Sequence, residues 1–235
     1  MFKSELYPKL SVKNNLKPNR FYATPLFGGL IKIIILIPQM IEVFILIPVV
    51  FVLVIINSLY VLIFGKYWDT AYGLTLNLVR FFIKTYFFWA GIFDSYPGFS
   101  LSTDGKFVLD IKKPVTPNRL FAFPIFGGLV RLLFLIPYLV YSQVLGNGSW
   151  VGVIISSFPV FFKGKYPQST YEFAVDAERV GLGLFFNMVG FSDKYPSFKI
   201  SMSHKNVKII LIAIGIIFFI FNNGSKSWFK LQSFY

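Results

Sequence analysis

Residues 18–38 read PNRFYATPLFGGLIKIIILIP, and residues 117–137 read PNRLFAFPIFGGLVRLLFLIP. The spacing is 99 residues and holds without a gap. Gly65-Lys66-Tyr67 is answered by Gly164-Lys165-Tyr166, and Arg80 by Arg179. Asp94, Tyr96, Pro97 and Phe99 are answered by Asp193, Tyr195, Pro196 and Phe198. The matches include Pro, Gly, Arg and Asp as well as Ile and Phe, so common ancestry explains them better than common composition. A fixed-offset repeat makes the repeat the unit of architecture. The expected fold is an all-α integral membrane protein with a small extramembrane β element. Its two tandem repeats of membrane helices are followed by a C-terminal helix. Residues 1–102 form the N-terminal segment and first repeat, residues 103–201 a linker hairpin and the second repeat, and residues 202–235 a C-terminal transmembrane helix with a basic tail.

Composition names the solvent. Of 235 residues 55% are hydrophobic and 20% aromatic, with a mean hydropathy of +0.65, and only 14% are charged. Soluble domains carry about a quarter charged residues. Thirty Phe cannot all be hidden in a core of this size, which points to lipid. The net charge of +13 has two readings. Nucleic-acid binding wants Lys and Arg gathered on one folded face. Here they sit in short segments between apolar runs, the pattern of a protein facing anionic headgroups. With no Cys and a single His, His204, thiolate chemistry is excluded and a zinc site disfavoured. No motif calls for a cofactor. The first fifteen residues lack an apolar core, which predicts no cleavable signal peptide.

Apolar sequence runs almost unbroken from Phe21 to Phe64, about twice the roughly 20 residues of a spanning helix. Pro38 and Pro48 are the places to divide it. The expected division is a surface segment over 19–37 and a spanning helix over 38–64, kinked at Pro48. Two half-helices bent at Pro48 are the alternative. Gly65 to Asp69 is a turn, and a further helix over 70–93 either spans or lies along the surface. Asp104-Gly105 predicts a hairpin joining residues 99–102 to 106–113. Strands around Val12, Phe107–Ile111 and Ile200–Met202 are expected in one sheet. In the second repeat Gly146-Asn147-Gly148 stands where Ile47-Pro48-Val49 stood, which predicts a broken helix or a loop. The helix over 169–192 carries Glu172, Asp176, Glu178 and Arg179, costly in hydrocarbon, so its first half is expected at the headgroups or in a protein interface. Residues 203–223 make a last span with Lys205, Lys208, Lys226 and Lys230 as snorkelling anchors. Five crossings are favoured and three allowed. If each repeat crosses twice, the positive-inside bias places the basic inter-repeat segments in the cytoplasm and the turns at Lys66 and Lys165 on the far side.

The series P-N-R, G-G-L, I-P, G-K-Y and D-x-Y-P-x-F resembles the bacterial membrane family known as domain of unknown function 4389. Two copies would cover roughly residues 10–102 and 110–201. The G-K-Y-P turn is complete at Gly164–Pro167, whereas the first copy has Trp68 in place of Pro. The resemblance implies a protein embedded in the bacterial cytoplasmic (inner) membrane, and it carries over no catalytic residue.

Four residues are candidates for function. Glu42 is an acid in an apolar run, suited to a proton or cation site, and the plainer reading sets it at the membrane interface or pairs it with Lys32 or Arg80. Arg80 and Arg179 could hold lipid phosphate, or pin their helices through Asp69 or Asp94 and through Glu172 or Asp176. Lys84 shares a helix face with Arg80. The Gly28-Gly29 and Gly127-Gly128 pairs lack a dinucleotide fingerprint and fit a close backbone approach or a bend. There is no Ser-His-Asp set and no metal cluster. The function expected is therefore a non-enzymatic structural or accessory subunit of a larger membrane complex. A small transporter, channel or lipid-handling homo-oligomer is second. Expected partners are anionic membrane lipids and other membrane-protein subunits or a second copy, and no nucleic acid.

Overall fold

The computed structural model describes residues 8–12, 18–23, 27–93, 96–99, 107–111 and 113–232. In chain order the elements are β1 (Lys9–Val12), a 3-10 turn (Phe21–Ala23), α1 (Phe27–Phe64), α2 (Asp69–Trp89), β2 (Phe107–Asp110), a 3-10 turn (Leu120–Ala122), α3 (Phe126–Lys163), α4 (Gln168–Met188) and α5 (Lys205–Gln232). Every element from the first 3-10 turn through α2 has a counterpart of equal length 99 residues later. Gly65 and Gly164 end the two long helices with φ of 68° and 63°, a left-handed conformation that costs a glycine little.

The strands obey the same offset. β1 pairs antiparallel with β2, and Leu10 lies opposite Leu109, the residue 99 positions on. An antiparallel pair that sets a residue against its own counterpart has a local two-fold axis at that pair. This sheet joins the starts of the two halves and brings together the strands expected around Val12 and Phe107–Ile111. The proposed turn at Asp104-Gly105 lies outside the described residues. No strand forms at Ile200–Met202. There the backbone N–H of Ser201 donates instead to the Asp176 carboxylate at 3.0 Å.

The expected division at Pro38 and the expected break or loop at Gly146–Gly148 are absent. α1 continues through Pro38 and Pro48. A proline removes one helix hydrogen bond, and side chains beside each one hold the flanking turns. Gln39 is fully buried and donates to the Tyr96 hydroxyl, and Val50 is buried past Pro48. α3 likewise continues through Gly146-Asn147-Gly148. A Cβ at Gly148 would stand 2.4 Å from the carbonyl oxygen of Leu211, and one at Gly215 2.1 Å from that of Val144. These glycines let the α3 and α5 backbones touch, which is the helix-packing use of small residues.

α2 and α4 supply the core. Phe81, Phe87 and Phe88 of α2 and Phe173 and Phe186 of α4 are at most 1% exposed. Each such ring contributes about 1.5–3 kcal/mol by leaving water. Tyr72 stacks on Phe191 at 4.7 Å between ring centroids, and Phe87 meets Phe107 of β2 edge-on. The buried segment 170–180 agrees with the expectation of a protein interface there.

α1 and α3 are arranged the other way. The buried side of α1 carries Lys32, Gln39 and Asn57, and that of α3 carries Arg131, Tyr138, Ser149 and Ser156. Their exposed sides carry residues such as Ile34, Phe44, Phe51, Leu133 and Phe134. Among the described residues three helices are long and apolar enough to cross a membrane: α1, α3 and the 205–223 part of α5. α2 and α4 are not among them.

Candidate functional site between the two halves

The two halves exchange contacts. Gly65 closes α1, and a Cβ there would meet the guanidinium of Arg119 at 2.6 Å. Gly164 closes α3, and a Cβ there would meet that of Arg20 at 2.8 Å. The arginine of each P-N-R motif therefore packs on the G-K-Y turn of the other half. This corrects the expected orientation, because segments in contact cannot lie on opposite sides of a hydrocarbon layer about 30 Å thick. The bias in basic residues was read within each repeat, whereas the contact runs between repeats.

The glycine pair at the start of each long helix serves a close approach. A Cβ at Gly28 would stand 2.4 Å from the Tyr22 carbonyl oxygen, and one at Gly127 2.2 Å from that of Phe121. Each 3-10 turn is thereby folded against the helix it precedes. That places Lys32 and Arg131, which occupy equivalent positions on the next turn, beneath it.

Arg131 is 5% exposed, and four of its five N–H groups are hydrogen-bonded. Its Nη1 donates to the carbonyls of Asn187 (3.0 Å) and Ser192 (2.9 Å), its Nε to that of Phe121 (3.3 Å), and its Nη2 to the Asp193 carboxylate (2.6 Å). The planar fork matches this ring of acceptors as no lysine could. The Tyr67 hydroxyl from the other half donates to the Gly190 carbonyl. Only about 10 Å³ of space remains beside these groups.

The equivalent place in the other half is open. There Lys32 is 4% exposed, with Nζ 5.6 Å from the centroid of the Phe88 ring. A cavity of about 260 Å³ lies beside it, with Tyr22, Trp89, Trp150, Val153 and Tyr166 on its walls. Trp89 and Trp150 meet edge-on at 4.8 Å. The exposed Ile154 of α3 stands at its margin. The difference between the sites begins in the backbone. A Cβ at Gly128 would touch the Met188 carbonyl oxygen at 3.5 Å, whereas nothing lies within 4 Å of one at Gly29. Ala90 also stands where the other half has Val189.

The residues singled out in the sequence are placed as follows. Arg80 donates through Nε and Nη2 to the Leu109 carbonyl of β2 and through Nη1 to Asn77. Of its expected partners, Asp69 is bonded by Lys113 instead, and Asp94 lies outside the described residues. Arg179 is 3% exposed, 3.5 Å from Asp176, and donates to the Lys199 carbonyl. Both arginines act as pins between elements. Lys84 is buried on the protein-facing side of α2. Glu42 is half-buried, and its Oε2 is enclosed with no hydrogen-bond partner among the described residues. Its expected partner Arg80 is bonded elsewhere. The structure does not gather these four residues into one site.

Sequence reasoning missed the ionic network joining α4 to α5. Lys208 was expected to snorkel and is instead 2% exposed. Its Nζ donates to Asp176 at 2.9 Å and to the Ser201 carbonyl at 3.0 Å, with Glu172 at 4.0 Å. An acid 32 residues away explains the burial, and only the excess of acids on α4 hinted at a basic partner. Burial acts to raise the Glu172 carboxyl. Hydrogen bonds from Ser203, Gln168 and His204, with Lys208 nearby, outweigh it and hold the group below the usual carboxylate range. Glu178 goes the other way. Burial pushes it up to about 7, against a hydrogen bond from Tyr86 of α2. Among the described residues no group of three or more His, Asp or Glu could hold a metal ion.

No protein-family model matches this chain, and neither a curated protein nor a solved structure matches it.

Proposed function

We propose that this chain is a non-enzymatic integral membrane protein, a structural or accessory subunit of a larger membrane assembly, built by tandem duplication. One observation carries the reading: α1 and α3 turn amide, hydroxyl and cationic side chains inward and Ile, Leu and Phe outward. In water that arrangement would expose a continuous apolar surface far larger than soluble monomers tolerate. In a bilayer it is the stable one. At 1.5 Å per residue each 38-residue helix is about 57 Å long, against roughly 30 Å of hydrocarbon. Lys32 meets Phe88 at the end of α2, while a short turn joins the end of α1 to the start of α2. α1 thus touches α2 at both ends yet is 17 residues longer, about 25 Å of helix. We read that surplus as a bow into the bilayer with its apex between Pro38 and Pro48, and α2 and α4 as lying across the open side. The motifs shared with a bacterial membrane family support the bacterial cytoplasmic membrane, and the excess of Lys and Arg supports anionic lipids as neighbours.

The subunit reading draws on the difference between the halves. α5 packs along α3, while only 11% of the apolar window of α1 is buried. That leaves one side of α1 for a partner subunit or a second copy. Purification in mild detergent from the native membrane tests this: a stoichiometric complex is expected, and a lone monomer would overturn it. A transporter acting as a homo-oligomer is the second reading, favoured by the enclosed Oε2 of Glu42. Proton or cation flux in proteoliposomes that Glu42→Gln abolishes would establish it instead.

A further inference from the structure

We infer that the amide-lined groove between α3 and α5 is the interface with a second copy of this chain, the two copies related by a two-fold axis. The inference rests on the membrane placement proposed above and adds to it the partner and the face that receives it. Gln143 and Asn147 of α3 and Asn222 and Asn223 of α5 line this groove of about 520 Å³, together with Gly146 and Trp150. Asn147 is half-buried and the other three amides are exposed. Among the described residues the Asn223 amide donates to the Phe219 carbonyl at 2.9 Å, and the four side chains make no other hydrogen bond.

The repeat shows that these amides are out of place on a surface facing lipid. In the first half Phe44, Ile47, Pro48 and Phe51 hold the places of Gln143, Gly146, Asn147 and Trp150, and all four are exposed. The surface around the groove is apolar too, with Phe134 and Ile154 of α3 and Ile217, Ile220 and Phe221 of α5 exposed. Gln143 and Asn147 lie near the middle of α3, far from both of its ends. A carboxamide facing hydrocarbon has lost its water and needs a protein partner to restore its hydrogen bonds. Pairing between amides of neighbouring helices supplies one.

The chemistry of the groove says which partner. Each carboxamide offers two N–H donors and an oxygen with two lone pairs, so the cluster is neutral and complementary to itself. A charged partner would meet no opposite charge there, and an apolar one would leave the amides stranded. A second copy brings donors and acceptors in equal number, and a two-fold axis through the groove sets the amides of one copy against those of the other. Gly146 gives room for it. The α3–α5 contact already fills the space at Gly148, whereas a Cβ at Gly146 would meet nothing within 4 Å, so another helix can come close. Because α1 carries Phe and Ile at these places, each chain has one such face and the assembly closes at two copies.

The test uses the full chain, which has no cysteine, labelled on a single cysteine introduced at Val115 and placed in vesicles of phosphatidylethanolamine and phosphatidylglycerol. Energy transfer between donor-labelled and acceptor-labelled copies is expected to saturate, and to fall as added lipid dilutes the protein. Gln143→Leu combined with Asn147→Leu puts good helix formers on the surface, so the chain folds and the affinity between copies drops about tenfold. Gly146→Leu blocks the close approach and weakens the pair by a similar factor, while Phe44→Leu on α1 leaves it unchanged. On oxidation, copies bearing Gln143→Cys are expected to cross-link and copies bearing Phe44→Cys are not. Transfer that never saturates, or that both the amide and the glycine variants leave unchanged, overturns the interface, as does cross-linking through Phe44→Cys alone. A chain that is monomeric in vesicles but bound to a different protein in its native membrane overturns the second copy as partner and leaves the subunit reading standing. Carbonate extraction separates the remaining cases. A chain kept in the pellet without saturable transfer refutes the interface alone, and one released into the supernatant refutes the membrane placement with it.

Discussion

Replacing Lys208 by methionine removes one partner of a buried ion pair while keeping most of the volume. Lys208 is 2% exposed and sits 2.9 Å from Asp176. Breaking such a pair by losing one member costs about 3–5 kcal/mol, because the other charge is left behind. Asp176 keeps Arg179 at 3.5 Å and the Ser201 N–H at 3.0 Å, so the lower end, about 3 kcal/mol, is expected. Asp176→Asn takes the nearest carboxylate from both Lys208 and Arg179, leaving them the Ser201 and Lys199 carbonyls, and is expected to cost about 4 kcal/mol. The double variant should cost about 2 kcal/mol less than the sum, since its second change removes a charge already stranded. Unfolding in mixed micelles by SDS titration, followed by circular dichroism, measures all four proteins. A loss below about 0.5 kcal/mol for Lys208→Met would mean that the ammonium lies at a wet surface and that this network does not tie α5 to α4.

Gly148→Ala and Gly215→Ala should each destabilise the same unfolding reaction by about 1–3 kcal/mol through overpacking, whereas Gly146→Ala, with nothing within 4 Å, should be neutral or gain up to about 1 kcal/mol. Equal behaviour of the three would refute the close α3–α5 approach. Glu178 binds its proton more tightly folded than unfolded, so its cost is absent below about pH 4.5, grows as pH rises through about 7, and is constant above. Discounted for partial contact with solvent, that cost is about 1–2 kcal/mol. Glu178→Gln should recover it at pH 8 and gain nothing at pH 4.5, and a gain independent of pH would contradict the argument. Arg131→Lys should cost about 2–3 kcal/mol, because a lysine cannot reach three carbonyls and a carboxylate together. A tolerated substitution would mean that the site is less tightly built than its distances indicate.

The offset of 99 was legible in the sequence, and with it the expectation that the elements of one half recur in the other, but the length of the long helices was not. The turn glycines Gly65 and Gly164 were legible too, because helix termination is a local property. What was misread depends on residues distant in the chain. Pro38 and Gly146–Gly148 resemble helix breakers by local propensity. Gln39 bonded to Tyr96 holds the first in the helix, and the Leu211 carbonyl gives Gly148 its purpose. β1 pairs with β2 across the two-fold axis because counterpart strands match each other, and the Asp-Gly turn that suggested a hairpin carried no information on that partner. Of the candidate site, Lys32 was seen only as a possible mate for Glu42. Its place on a cavity wall follows from the comparison with Arg131, and the repeat alignment pairs those two residues without showing which has room beside it.

The claim most exposed to test is that the outward faces of α1 and α3 lie in lipid. The chain has no cysteine, so a spin label attached to a single introduced cysteine reports one position. Labels at Phe44, 79% exposed, and Leu133, 67% exposed, are expected in vesicles to collide more often with oxygen than with a water-soluble nickel chelate. A label at Val115, 92% exposed beyond β2, is expected to show the reverse. Preferential collision with the nickel chelate at Phe44 and Leu133 would place those faces in water and contradict the membrane reading.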